Sequence, residues 1–239
     1  MSKLILTRHG QSVWNADNKF TGWVDVDLSD KGREEAKKSG ELLNKLNIKI
    51  DISYTSYLKR AIETLTIILK SIGLSMKFNT AWELNERHYG SLTGLNKEET
   101  KKKIGEEQFK KYRRSWDIAP PPMVKDSKHL ENFSPLNGGI PQNKIPLTES
   151  LKNTYERVIP FYDIEINKNL KNGKNILISA HGNSLRALCK YLFKISDTKI
   201  NELEIPTGNP LIIEFDNQLK IQKYFYLDES RAKNIIFNQ

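Results

Sequence analysis

The chain has 239 residues, with 38 Lys or Arg against 29 Asp or Glu, a formal charge of +9, and 38 % hydrophobic residues. That length buries a core without disulfide or metal support, and the composition is too apolar for wholesale disorder. No apolar run approaches the ~20 residues of a membrane span, Met1-Ser2-Lys3-Leu4-Ile5-Leu6 lacks the apolar stretch of a secretion signal, and the single cysteine, Cys189, excludes an internal disulfide and suits a reducing cytoplasm.

Residues 4–7 form a nearly continuous apolar run, the pattern of a strand covered on both faces. Ser29 is placed to cap a helix over 31–46 whose inner face is Ala36, Leu42, Leu43 and Leu46. A strand at 50–55 leads into a helix at 57–71, closed by Gly73. Residues 98–112 read as a charged, mostly exposed helix. The stretch 119–146 holds Pro120, Pro121, Pro122, Pro135, Pro141 and Pro146 with Gly138-Gly139, a long irregular insertion of the kind that serves as a lid or stays disordered. A helix over 148–170 follows, with Thr148 as its cap and Pro160 bending or dividing it. Next come a strand at 176–179, a helix at 184–193 and a short helix at 196–203, then strands at 211–215 and 221–227. Leu188 and Leu192 around Cys189 make that thiol a plain core residue. Strands alternating with helices predict an α/β fold, a mainly parallel sheet with helices on both faces. No linker divides the chain, so one domain spans 1–239 with the insertion inside it.

The basic excess suggests an anionic partner such as nucleic acid, a membrane surface or a phosphorylated metabolite, with solvated surface lysine in a Lys-, Asn- and Ile-rich chain as the favoured plain alternative. Lys37-Lys38, Lys101-Lys102-Lys103 and Lys110-Lys111 are scattered among acids, without the one-sided basic face and exposed aromatics of a nucleic-acid binder. Neither nucleic acid nor a membrane is therefore the expected partner.

Two of the four histidines share one context, Leu4-Ile5-Leu6-Thr7-Arg8-His9-Gly10 and Ile176-Leu177-Ile178-Ser179-Ala180-His181-Gly182. Each is an apolar strand ending in His-Gly. Ligands of open α/β sheets bind beyond the carboxyl ends of strands, so two imidazoles at neighbouring strand ends can face one anion. Backbone donors after Gly10, at Gln11 and Ser12, and after Gly182, at Asn183 and Ser184, suit the same task. A neutral imidazole is a nucleophile toward phosphorus, and a transferring phosphoryl group needs fixed cations around its oxygens. Arg8 precedes His9, and Arg60 sits at a strand-to-helix turn, with a surface helix position as the plain alternative for Arg60. Glu86 is the candidate proton carrier, with an ion pair to Arg87 as its plain alternative. Nothing has Cys-x-x-Cys or His-x-x-x-His spacing, so no metal is expected.

Thr7-Arg8-His9-Gly10 resembles the RHG signature of the histidine phosphatase superfamily. The ordered series RHGQSVWN, NKFTGWVDVDLSDKG, YTSYLKRAIET, LNERHYGSLTGLNK, RRSWDIAPPP, LTESLKNTYERVIPFY, SAHGNSLRAL and EIPTGNPL is similar to the cofactor-dependent phosphoglycerate mutase family over most of the chain. The resemblance implies that His9 is the phosphorylated nucleophile and Glu86 the general acid and base. It implies that Arg8, Arg60 and His181 hold the transferring phosphoryl group, helped by Asn15 and the Gly182 backbone. Ser12, Thr21, Gly22, Tyr89, Lys97, Arg113, Arg114 and Asn183 would grip the substrate's carboxylate and other phosphate. The implied reaction is interconversion of 3-phosphoglycerate and 2-phosphoglycerate, in glycolysis and gluconeogenesis, primed by 2,3-bisphosphoglycerate and without metal. A phosphatase hydrolysing phosphomonoesters through the same His9 is the alternative. A cytoplasmic homodimer or homotetramer is also implied.

Gln11 stands where many members carry Glu, and 125–144 matches poorly. Asn234-Ile235-Ile236-Phe237-Asn238-Gln239 does not match the Lys-rich tail of several relatives, which leads us to expect a greater leak from mutase to phosphatase chemistry through a less complete lid.

Overall fold

The computed structural model describes residues 1–131 and 139–232. The strands are β1 (Ser2–Arg8), β2 (Ile52–Thr55), β3 (Asn79–Thr80), β4 (Ile176–Ala180), β5 (Leu211–Phe215) and β6 (Ile221–Tyr226). They form one sheet in the order β3-β2-β4-β1-β5-β6. The first four are mutually parallel, while β5 and β6 add an antiparallel edge. The expected mainly parallel sheet is therefore present, within a mixed one. β3 has only two residues, both exposed, too short to leave an alternating pattern in the sequence.

The helices are α1 (Val13–Ala16), α2 (Asp30–Lys45), α3 (Lys59–Ser71), α4 (Lys97–Ile104), α5 (Glu106–Arg114), α6 (Lys128–Glu131), α7 (Leu151–Phe161), α8 (Asn167–Lys171) and α9 (Gly182–Leu192). Successive strand side chains point to opposite faces, so the apolar runs feed two cores. Leu4, Leu6, Ile176, Ile178, Leu211 and Ile213 pack with Leu151, Val158, Leu185 and Leu188 of α7 and α9. Ile5, Leu177 and Ile212 pack the other way, against Leu43, Leu65 and Ile68 of α2 and α3.

Several boundaries differ from expectation for local reasons. The inner face of α2 is Gly32, Ala36, Ser39, Gly40 and Leu43, while Leu46 lies 40 % exposed beyond the helix. A Cβ on Gly40 would stand 2.4 Å from the Ser71 Cβ, so small residues there let α2 approach α3 closely. The single helix expected over 98–112 is two, divided at Gly105, whose φ of 81° ends α4. Ser150, not Thr148, caps α7, in a reciprocal pair with Asn153. The Thr148 hydroxyl donates instead to Pro120 O at 2.7 Å. Pro160 stays within α7, and a π-helical turn, Tyr162–Ile166, follows before α8. The helix expected over 196–203 is a 3-10 turn, Lys199–Glu202.

Within 119–146, the described residues are anchored rather than loose. Met123 N–H donates to Leu147 O and Ser91 N–H to Pro121 O, both at 2.9 Å. Met123 and Ile140 are buried against Trp23, Val24 and Leu58. Residues 132–138 of the expected lid, and Asn234 to Gln239, lie outside the described residues.

Gly10 and Gly32 bring the turn after β1 against the first turn of α2. A Cβ on Gly10 would meet Gly32 O at 2.1 Å, and one on Gly32 would meet Gln11 O at 2.0 Å. Backbone cannot yield as a flexible side chain can. Gly10→Ala is therefore expected to lower folding stability by about 1–3 kcal/mol, seen as a lower urea midpoint. An unchanged midpoint would contradict this packing.

Candidate active site

β1 and β4 are parallel neighbours, in register from Leu4↔Ile176 to Arg8↔Ala180. The His9 N–H continues that ladder to Ala180 O at 2.9 Å. The two His-Gly turns therefore emerge side by side, with the His9 and His181 ring centroids 4.9 Å apart. β2, on the other side of β4, delivers Ser56, whose Oγ lies 2.7 Å from His181 Nε2, and then Arg60 in the first turn of α3.

The His9 Nδ1 is 2.6 Å from Gly10 O. A carbonyl only accepts, so Nδ1 carries the proton and Nε2 keeps its lone pair. Burial, then the charges of Arg60 and Arg8, hold the His9 pKa well below 6.5. The same burial and Arg60 depress His181, whose Nδ1 has no protein partner. Both lowered pKa values favour neutral imidazoles near neutral pH.

The cations are anchored by carbonyls rather than neutralised by carboxylates. Arg60, 1 % exposed, donates to Val24 O at 2.9 Å and Gly22 O at 2.7 Å, and burial lowers its pKa to about 10. Arg8 donates to Ile205 O at 2.9 Å, while its Nε is buried without a partner. Glu86 faces this wall. Its Oε1 accepts from Arg87 N–H at 2.8 Å, Asn183 N–H at 3.1 Å and Asn183 Nδ2 at 2.9 Å. The Arg87 guanidinium does not pair with it. That side chain instead donates to Tyr112 O and Arg113 O and lies over the Tyr89 ring at 4.6 Å.

Arg8, His9, Asn15, Thr21, Gly22, Arg60, Glu86, Tyr89, Lys97 and Arg113 line a cavity of about 80 Å³. It shares Arg8, Glu86, Tyr89 and Arg113 with an outer recess of about 210 Å³ that Arg114, Gly182, Asn183, Arg186 and Glu204 complete. Thus all but two of the sequence-predicted residues meet in one place. His181 is fully buried and does not line the cavity, though its ring centroid is 4.9 Å from that of His9 and its Nδ1 has no protein partner, and Ser12 is fully buried, capping α1 by accepting from Asn15 N–H at 3.1 Å. The anion donors expected after Gly10 are taken, Gln11 N–H by Glu35 at 2.8 Å and Ser12 N–H by Asn15 at 3.2 Å. After Gly182, Asn183 N–H serves Glu86.

Sequence reasoning missed Arg186, one turn beyond Asn183 on α9. It donates to Asn183 Oδ1 at 2.9 Å, its Nε is buried without a partner, and burial lowers its pKa to about 9. The i, i+3 spacing was the available signal. Arg114 pairs with Glu204 at the rim. Cys189 is buried within α9, and burial pushes its thiol up to about 12, so it is a core residue as expected.

An oxygen-rich anion suits these residues. Arg8 Nε, Thr21 Oγ1 and Arg186 Nε are buried polar atoms still wanting partners, and the basic side chains outnumber the two carboxylates, Glu86 and Glu204. Among the described residues, no three His, Cys, Asp or Glu are grouped to hold a metal ion.

Residues 4–134 and 126–225 match the family profile of the histidine phosphatase superfamily (branch 1). The chain is 52 % identical over 240 residues to a 2,3-bisphosphoglycerate-dependent phosphoglycerate mutase of Pelagibacter ubique, covering 99 % of each. Among solved structures, YhfR of Bacillus stearothermophilus aligns with TM-score 0.69 at 23 % identity, covering 93 % of this chain and 95 % of that one. A mycobacterial glucosyl-3-phosphoglycerate phosphatase aligns with TM-score 0.68 at 20 % identity, covering 94 % and 96 %. At such identities these two structures speak for the fold alone.

The depressed histidines fix a pH dependence. Below pH 6.5 an unfolded chain protonates His9 and His181 while the folded chain resists. His88, lowered to about 4 by burial, adds to this down to that pH. Folding stability contributed by these groups is complete above pH 6.5 and is lost as pH falls, at up to about 1.4 kcal/mol per pH unit for each. Urea midpoints at about pH 7.5, 6 and 5 should fall in that order, and a flat series would contradict the buried neutral imidazoles.

Proposed function

The chain belongs to the histidine phosphatase superfamily (branch 1), and we propose that its reaction is the interconversion of 3-phosphoglycerate and 2-phosphoglycerate through a phosphorylated His9. The observation that carries this is the neutral His9, with its proton on Nδ1 facing Gly10 O, beside two carbonyl-anchored arginines. The relative named for this activity, similar along nearly the whole chain, supports the choice of substrate.

Bound 2,3-bisphosphoglycerate supplies the phosphoryl group that primes the enzyme. His9 Nε2 would accept that group in line as its bond to the ester oxygen breaks and Glu86 gives that oxygen a proton, and Arg8, Arg60 and His181 would stabilise charge on the group's oxygens. His9 then gives the group to the free hydroxyl of the monophosphate, and Glu86 takes the hydroxyl proton. For the return, His9 takes the other phosphate, and Glu86 gives the proton back to the departing ester oxygen. Asn183 and Arg87 N–H keep the Glu86 carboxylate aimed. Lys97, Tyr89, Arg113 and Arg114, with Thr21, Gly22 and Asn183, bind the substrate's carboxylate and second phosphate, while Asn15 and the Gly182 backbone help hold the transferring group. Ser12 acts through Asn15, which it holds at the start of α1. This second basic wall favours the mutase over a phosphatase, which needs cations for one phosphate only.

The same reading takes the chain as one domain, working in the cytoplasm as a homodimer or homotetramer. Among the described residues, no helix is long and apolar enough to cross a membrane.

With a chelator present, purified protein should isomerise 3-phosphoglycerate in a manner dependent on trace 2,3-bisphosphoglycerate, with little free phosphate. Phosphate release without isomerisation would make it a phosphatase. Arg60→Ala should lower kcat by about 10²-fold or more, by analogy with a lost oxyanion donor; an unchanged rate would remove Arg60 from the site.

A further inference from the structure

Glu86 sits in a segment that regular structure does not hold. After the 3-10 turn Trp82–Leu84, the backbone through His88 is irregular, and its buried carbonyls need donors from elsewhere. Arg157 of α7 supplies them. Its Nη1 donates to Glu83 O at 2.5 Å, and its Nη2 donates to Asn85 O and Glu86 O, each at 3.0 Å. Glu149 fixes the guanidinium in turn, accepting from Nε at 2.7 Å and Nη2 at 3.0 Å. Glu149 also accepts from His88 N–H at 2.8 Å and donates its own N–H to His88 O at 2.9 Å. The two side chains are 8 % and 4 % exposed, and neither lines the cavity or its outer recess.

We propose that Arg157, oriented by Glu149, is a positioning residue for Glu86: it fastens the backbone before and at that residue, while Glu149 fastens it at His88, and so it sets where the proton is taken and returned. The inference rests on Glu86 being the proton carrier. A planar fork with five donors can reach three carbonyls and a carboxylate together, and an ammonium cannot. Arg157→Lys is hence the informative change. It keeps a cation beside Glu149, so no buried carboxylate is left unpaired, and it keeps the positive charge near His181. The carbonyl contacts are lost, and the two-point pairing with Glu149 is reduced to a single one.

The test is a double-mutant cycle of Arg157→Lys with Glu86→Gln, read as kcat and KM for 3-phosphoglycerate. An error of position near 1 Å costs about 10²-fold. Arg157→Lys alone should therefore lower kcat by about that factor while KM stays within about threefold. In the Glu86→Gln background the same substitution should change kcat less than about threefold, because its effect has no carboxylate to act through. Equal losses in both backgrounds, a rise in KM with kcat intact, or no loss at all would overturn the proposal. If Glu86→Gln alone leaves kcat intact, Glu86 is not the proton carrier and the inference falls with that reading, an outcome distinct from the others.

Discussion

The last rung of the β1–β4 ladder, His9 N–H to Ala180 O, sets the geometry from which the rest of the site follows. Because the two strands are parallel and in register, the turns that end them leave the sheet at one level. Antiparallel pairing would send the two histidines to opposite edges. Packing reinforces the rung. Leu4 to Leu6 and Ile176 to Ile178 are fully buried between two helical layers, so the two strands cannot part without exposing apolar surface of both cores to water.

Upon that frame the chain builds an unusual electrostatic environment, in which buried cations stand without buried anions of equal number. Arg60 and Arg8 are held by carbonyl oxygens, which satisfy their protons without cancelling their charge. A charge kept from water and left unneutralised is costly, and an anionic ligand relieves that cost. Burial first, and then the same field, hold the His9 and His181 pKa values well below the ordinary imidazole value. In the proposed reaction one arrangement prepares His9 as nucleophile and attracts its substrate, and Glu86, on a separately braced segment, is the group proposed to carry the proton.

What could be read in the sequence follows from the range over which each signal acts. The strands of β1, β4 and β5 were legible because burial on both faces forces continuous apolar runs. The paired His-Gly turns were legible because a repeat needs no knowledge of the fold. Arg8, Arg60 and Glu86 were within reach once phosphoryl chemistry was supposed. Other features depend on contacts distant in sequence. Gly40 faces α3 because of Ser71, and Ser150 displaced Thr148 as a cap because Pro120 claims the threonine hydroxyl. The Gln11 and Ser12 donors were miscounted because Glu35 and Asn15 occupy them. Arg157 acts across 71 positions of sequence, and no local pattern ties it to Glu86.

The central claim is that a neutral His9 takes the phosphoryl group on Nε2, because Gly10 O holds the proton on Nδ1. Phosphorus NMR and mass mapping of the protein after brief exposure to 2,3-bisphosphoglycerate test it directly. The account predicts an acid-labile phosphate on His9, attached at Nε2. A phosphate on His181, attachment at Nδ1, or no phosphoenzyme would contradict it.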